Sequence, residues 1–292
     1  MSMEKLIKVA DGRVLRVELG GDPHGKPVLM HHGTPGAGVL YGPHVADAAE
    51  RGIRLIGYDR PGYGGSTAHP GRTVADCAAD VRAIAGELEI DRLGVWGISG
   101  GGPHALACAA LLPDLVVAVG SLAAIAPYGA PGLDYFTGMG KENVDDIKLT
   151  LADEAAARAK GIDDRERMLA LRAGDMAKAF PTLLSAVDAD AMTGELAEYL
   201  WTSSQIGLAP SDQGWWDDGK AHLKPWGFAF DATNVPVQLW HGRHDRFVPF
   251  QHGEWLAGKI PGVEAHLTDE DGHITLLQNR VGQVHAWLRE HF

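Results

Sequence analysis

Short apolar runs separated by helical stretches constrain this chain more than any other feature. Pro27–His32, Ile53–Asp59, Leu93–Ile98, Val116–Ile125, Val235–Trp240 and Glu264–Thr268 each end in glycine, proline or polar residues. Runs this short and rich in Val, Ile and Leu read as strands buried on both faces. Helical stretches lie between them. Thr73–Leu88 places Val74, Cys77, Val81, Ile84 and Leu88 along one face, and Pro103–Leu112 is almost wholly apolar. Gln251–Lys259 and Asn279–Glu290 carry mixed faces. Strand and helix in alternation predict an α/β fold, a parallel sheet with helices on both sides. Ahead of it, Glu4–Val9 and Val14–Leu19 alternate around Ala10-Asp11-Gly12-Arg13, the pattern of a hairpin.

The alternation stops after Tyr128 and resumes near Asn234. Between them lie helical patterns over Val144–Lys160, Asp164–Ala179, Pro181–Ala191, Gly194–Ile206 and Ser211–Leu223. A helical block between two strands of one sheet reads as an insertion. We therefore divide the chain into a core, 1–128 and 229–292, and a helical cap, 129–228, placed over one edge of the sheet. No fixed-period repeat or low-complexity segment interrupts this plan. At 292 residues and 45% apolar, the chain is long enough to bury a large core.

Composition narrows the function. A net charge of −12 repels phosphate backbones, so nucleic-acid binding is not expected. No run approaches the roughly 18 apolar residues of a membrane span, and the opening MSMEKLIKVADG lacks the apolar core of a signal peptide. Cys77 and Cys108 sit inside helical runs, reading as small buried hydrophobes in a reducing, cytoplasmic compartment. Nothing in the pattern sets an oligomeric state.

One serine stands where chemistry is expected. Gly97-Ile98-Ser99-Gly100-Gly101 follows the strand Leu93–Ile98 and precedes the helix at Pro103. Ser99 then occupies a sharp strand-to-helix turn above the carboxyl end of the sheet. The turn strains the serine backbone, and the flanking glycines let strand and helix approach closely. This is the pattern of a nucleophile elbow.

A serine hydroxyl is a poor nucleophile until a base takes its proton and an acid fixes that base's tautomer. Asp245, in His241-Gly242-Arg243-His244-Asp245, follows the strand Val235–Trp240 and is the candidate acid. The equivalent loop one strand earlier, Ala123–Tyr128, holds no carboxylate. His273 follows the last strand and is the candidate base. His266 lies within a strand, His285 and His291 in the final helix, and His104 on the buried helix. His241 and His244 lack the spacing company of a metal site, so no metal and no cofactor are expected. An acyl transfer also needs two amide donors for the oxyanion. Gly100 supplies one, and Thr34, in His32-Gly33-Thr34-Pro35-Gly36, the other. Asp59, Arg60 and Ser66, in the run GYDRPGYGGS, read as braces for the surrounding loops.

The runs HHGTPG, GYDRPGYGGS and GISGG, with Asp245 and His273, resemble the serine α/β-hydrolase superfamily over most of residues 20–128 and 233–292. The capped, carboxylesterase-like members are the most similar. The resemblance implies an α/β-hydrolase fold and a cofactor-free serine enzyme with a helical lid inserted after the sixth strand. Prolyl aminopeptidase relatives carry tryptophan after the nucleophile, where this chain has Gly100. Epoxide hydrolases and dehalogenases carry aspartate at the position of Ser99.

The cap holds 17 acidic and 10 basic side chains, so seven of the twelve net negative charges lie there. An anionic substrate meets an unfavourable field. Trp201, Trp215 and Trp216 are the candidate pocket-lining residues, with four of the seven methionines nearby in sequence. The expected substrate is a small or medium uncharged carboxylic ester or a lactone. An aminopeptidase-like enzyme, an acyltransferase and a non-catalytic receptor on the same fold are the alternatives.

Overall fold

A computed structural model describes residues 3–292. The apolar runs form one eight-stranded sheet: β1 (Met3–Lys8), β2 (Val14–Gly21), β3 (Lys26–His31), β4 (Ile53–Tyr58), β5 (Leu93–Ile98), β6 (Val116–Leu122), β7 (Val237–Gly242) and β8 (Glu264–Thr268). The spatial order is β1-β2-β4-β3-β5-β6-β7-β8. β2 is antiparallel to both β1 and β4, while every pairing from β4 to β8 is parallel.

Two apolar clusters follow from the period-two pleat. Leu29, Val95, Val119 and Leu239 face one side, packed by α2 (Cys77–Glu87), α3 (Gly102–Leu111) and α9 (Phe250–Ala257). Their neighbours Val28, Met30, Trp96, Ala118 and Trp240 face the other, with α1 (Gly42–Glu50) and α11 (Val281–Glu290). The second cluster continues without a break into Met168, Met176, Leu184, Met192 and Leu196.

Those last residues belong to the stretch between β6 and β7, where the chain leaves the sheet. It contains α4 (Lys141–Ala152), α5 (Glu154–Ala170), α6 (Ala186–Ala191), α7 (Gly194–Leu208) and α8 (Gln213–Leu223), and no strand among the described residues. No helix among the described residues is long and apolar enough to cross a membrane.

Several expected boundaries move, each for a local reason. The helix expected over Val144–Lys160 is two helices, because the Asp153 side chain accepts from the Ala156 amide and starts a new one. The helix expected from Asp164 to Ala179 breaks after Ala170, and Ala173–Ala179 tightens into a 3-10 turn. The helix expected from Thr73 starts at Cys77, since the Asp76 carboxylate folds back to accept from the Thr73 amide at 2.6 Å. The β6 run stops at Leu122 because Ala123 turns to φ +48°. β8 is not buried on both faces: it is the outer edge, with Glu264, Ala265 and Leu267 exposed. Finally, His273, expected to follow the last strand, does so and opens a short helix, α10 (His273–Asn279).

Candidate active site

The loops after β3, β5, β7 and β8 all leave the carboxyl ends of parallel strands, where α/β folds gather their sites. These loops and the helical turns they lead into carry Thr34, Ser99, Asp245 and His273.

Ser99 has φ +56°, in the left-handed region that L-residues seldom occupy. The strand-to-helix reversal imposes it, and Gly97 allows it: a Cβ there would strike the Gly101 carbonyl. Ser99 remains partly accessible although the strand leading to it is buried.

The His273 ring lies face to face with Phe247, centroids 4.6 Å apart, and its Nδ1 is 2.7 Å from Asp245 Oδ2. The other Asp245 oxygen accepts from the Val248 amide at 2.8 Å. The carboxylate is thereby fixed, and the proton of neutral His273 sits on Nδ1, leaving Nε2 as an acceptor. Burial favours the neutral ring, but the Asp245 charge and hydrogen bond, with the Asp188 charge behind them, outweigh it. Together they lift the proton affinity of His273 above that of a free imidazole.

The loop carrying Thr34 is held from below. The Arg60 amide donates to His32 Nε2 at 3.2 Å, so His32 Nδ1 carries its proton and donates to the Gly33 carbonyl at 2.7 Å. The Arg60 guanidinium donates to the His32 carbonyl and, at 3.0 Å, to Thr34 Oγ1. Thr34 Oγ1 in turn donates to Asp218 Oδ2 at 2.8 Å. Thr34 thus engages its hydroxyl, and among the described residues its amide donates to no protein group. Gly100 sits opposite: any Cβ there would collide with Thr34 Oγ1.

A model of the family described as alpha/beta hydrolase fold matches residues 26–280. The chain belongs to the alpha/beta hydrolase family. It is 30% identical to the AB hydrolase superfamily protein YisY of Bacillus subtilis over 93% of this chain and 92% of that protein. It is 25% identical to a 2-hydroxy-6-oxononadienedioate/2-hydroxy-6-oxononatrienedioate hydrolase of Comamonas testosteroni, covering 88% of this chain and 85% of the relative. A proline iminopeptidase of Xanthomonas citri is 40% identical, but the match spans only 36% of this chain and about a third (34%) of that protein. Among solved structures, an esterase from Exiguobacterium antarcticum superposes with a TM-score of 0.71 at 21% identity, covering 99% of both chains.

In this hydrolase, Thr34, Ser99, Gly100 and His273 all line one cavity of about 370 Å³. Its wall is mainly apolar, and five methionines contribute to it: Met30, Met139, Met168, Met176 and Met192. Trp215 and Trp216 line it; Trp201 does not. The expectation for Trp201 fails because its indole donates to the Leu171 carbonyl at 2.8 Å and packs inside the helical insertion. Trp201 and Trp215 are both half-buried tryptophans on insertion helices, so composition alone cannot separate them.

The histidines weighed against His273 each have partners of their own. His104 donates to the Gly100 carbonyl, His266 stacks on Trp240, and His285 pairs with Asp47. His241 is buried and hydrogen-bonded to the Val248 carbonyl, while His244 is exposed, so the two do not converge on a metal. Asp59 accepts from the Gly38 and Gly65 amides, and Ser66 donates to the Asp59 carbonyl, the bracing expected of them. Asp59 and Arg60 do not pair with each other; the partner of Arg60 is Asp218.

Two buried carboxylates escaped the sequence reading. Asp218, on α8, meets Arg60 and Arg72, and Asp188, on α6, meets the start of α10. Both lie in the most acidic part of the chain, where nothing separates them from solvated neighbours. A Ser-x-x-Asp pattern, Ser185 to Asp188, is the one local signal.

Proposed function

We propose that this chain is a serine hydrolase that cleaves small or medium uncharged carboxylic esters through an acyl-enzyme. One observation carries the reading: Ser99, in its left-handed turn, shares a cavity with a histidine whose far nitrogen is fixed by a buried aspartate. Ser99 Oγ attacks the ester carbonyl carbon while His273 Nε2 takes its proton. The ring, now cationic, is stabilised by Asp245. The Thr34 and Gly100 amides receive the charge on the carbonyl oxygen. As the intermediate collapses, His273 returns the proton to the departing alcohol. Water, deprotonated by His273, then attacks the acyl carbon and frees Ser99 as the carboxylic acid leaves.

The cavity wall supports an uncharged substrate. Its cations are already paired, Lys160 with Asp146 and Asp164, and Lys220 with Glu154. Among the described residues of the wall an incoming carboxylate would find no free positive partner, unlike an apolar acyl chain, which finds flexible methionines. Gly100 counts against an aminopeptidase, since a tryptophan side chain at that position has no room beside Thr34.

Labelling with a fluorophosphonate tests the reading. One equivalent should attach at Ser99 and abolish ester hydrolysis; an unlabelled, active protein would overturn it. The pH profile adds a second check. The base must be neutral, and its proton affinity is raised, so kcat/KM should climb with pH along a limb centred above about 6.5. A flat rate from about pH 5 to 8, with chemistry limiting, contradicts the assignment of His273.

Substrate choice should follow the wall. Trp215→Ala and Trp216→Ala are expected to lower kcat/KM for bulky apolar esters by roughly 10–100-fold and for acetyl esters much less. Trp201→Ala should leave the chain-length profile unchanged. Profiles that do not differ among the three folded variants would show that the tryptophans do not set selectivity.

A further inference from the structure

His273 is fixed at two ends, and only one of them is the Asp245 bond. The other is a carboxylate from outside the sheet. Asp188 Oδ2 accepts from the His273 amide at 2.9 Å, and Oδ1 accepts from the Ile274 amide at 2.8 Å and the Thr275 amide at 3.1 Å. The Ser185 hydroxyl donates to Asp188 Oδ2 at 2.9 Å from one turn back on the same segment. Asp188 is 0% exposed.

We propose that Asp188 is a positioning residue for the general base, holding the first turn of α10 from the helical insertion so that the His273 ring faces Ser99. The proposal rests on the reading of Ser99, His273 and Asp245 given above.

Three features support it. The backbone preceding His273 accommodates the carboxylate: a Cβ on Gly272 would run straight into it. The bonds take in three successive amides, so they fix the direction in which α10 starts and with it the Cα–Cβ vector of His273. A buried carboxylate also acts on the ring electrostatically. The charged and titratable groups facing His273 are Asp245 from the loop after β7, His241 on β7, and Asp188 on α6. Asp188 adds to Asp245 in favouring the protonated ring. A residue of the insertion thus stabilises the imidazolium that forms when Ser99 is deprotonated, although it touches no reacting atom.

Asp188→Asn and Gly272→Ala test the idea by different routes. The first removes the charge. The second displaces the carboxylate and alters no catalytic side chain. Each variant is checked by thermal unfolding, then assayed on a short acetyl ester across pH. The expected result for Asp188→Asn is a kcat at least about 10-fold lower, KM within about 3-fold, and an acid limb moved to lower pH. Gly272→Ala should lower kcat in the same direction. A merely structural anchor would not move the limb. Folded variants with wild-type kcat and pH profile overturn the proposal, and so does failure of both to fold, since the contact would then serve stability alone. Ser99→Ala, run in parallel, separates the two levels. If it stays active, the serine reading falls; if it is inactive while Asp188→Asn behaves as wild type, only the positioning role falls.

Discussion

Replacing Ser99 with alanine is expected to lower kcat for ester hydrolysis by roughly 10⁴–10⁶-fold while leaving the fold intact. The two halves of that expectation have separate causes. Activity falls because the variant loses the nucleophilic oxygen at the turn, and water without the covalent step leaves the oxyanion amides and binding to act alone. The fold survives because the change deletes one oxygen at a site whose strain is in the backbone. Serine already tolerates φ +56°, and alanine meets the same Cβ crowding there, so the difference in backbone cost is small. Far-ultraviolet circular dichroism and thermal unfolding check the second half, and steady-state rates on an acetyl ester check the first. A folded variant with more than a few per cent of wild-type activity would remove Ser99 from the mechanism.

The sheet and the elbow were legible because each is written locally. A Val/Ile-rich run bounded by glycine fixes a strand, and Gly-Ile-Ser-Gly-Gly after such a run fixes the turn. Asp245 and His273 were legible by order alone, each following a strand of the same sheet, and a 2.7 Å hydrogen bond joins them across 28 residues of chain. The tryptophans were not separable, because which face of an insertion helix meets the cavity depends on how that helix docks. Nor were Asp188 and Asp218 distinguishable. Their meaning lies in partners 85 and 158 residues away, His273 and Arg60. A lone carboxylate in an acidic segment carries no mark of that. The edge strand β8 misled for a related reason: its run looks like its neighbours, and only its place in the sheet order exposes it.

Asp218→Ala is expected to be the most destabilising single change in the insertion. Its carboxylate lies 2.6 Å from Arg60 Nη2 and 2.6 Å from Arg72 Nη1, with the Tyr63 hydroxyl at 3.0 Å and Thr34 Oγ1 at 2.8 Å. Asp218, Arg60, Arg72 and Tyr63 are all buried. Removing the anion leaves two buried guanidiniums without their counter-charge, at a cost of about 3–5 kcal/mol. The exposed Arg82–Asp114 pair also has short bonds, 2.8 Å, but solvent screens it, so Asp114→Ala is the control. The expected fall in melting temperature is on the order of 10 °C for Asp218→Ala and near zero for Asp114→Ala. pH supplies an independent check. Burial opposes the charge on Asp218, yet Arg60 and Arg72 outweigh burial and hold its carboxyl well below the usual carboxylate range. A group depressed in the folded state stabilises fully above its unfolded value, near 4, and loses that contribution as pH falls through its folded one. The wild type should therefore lose stability in acid over that window, and Asp218→Ala should show a smaller further loss there. Because the same carboxylate holds Thr34, any variant that stays folded should also hydrolyse esters more slowly. An Asp218→Ala protein within about 1 kcal/mol of wild type would mean that the arginines find other partners and that the insertion is held by its apolar face alone.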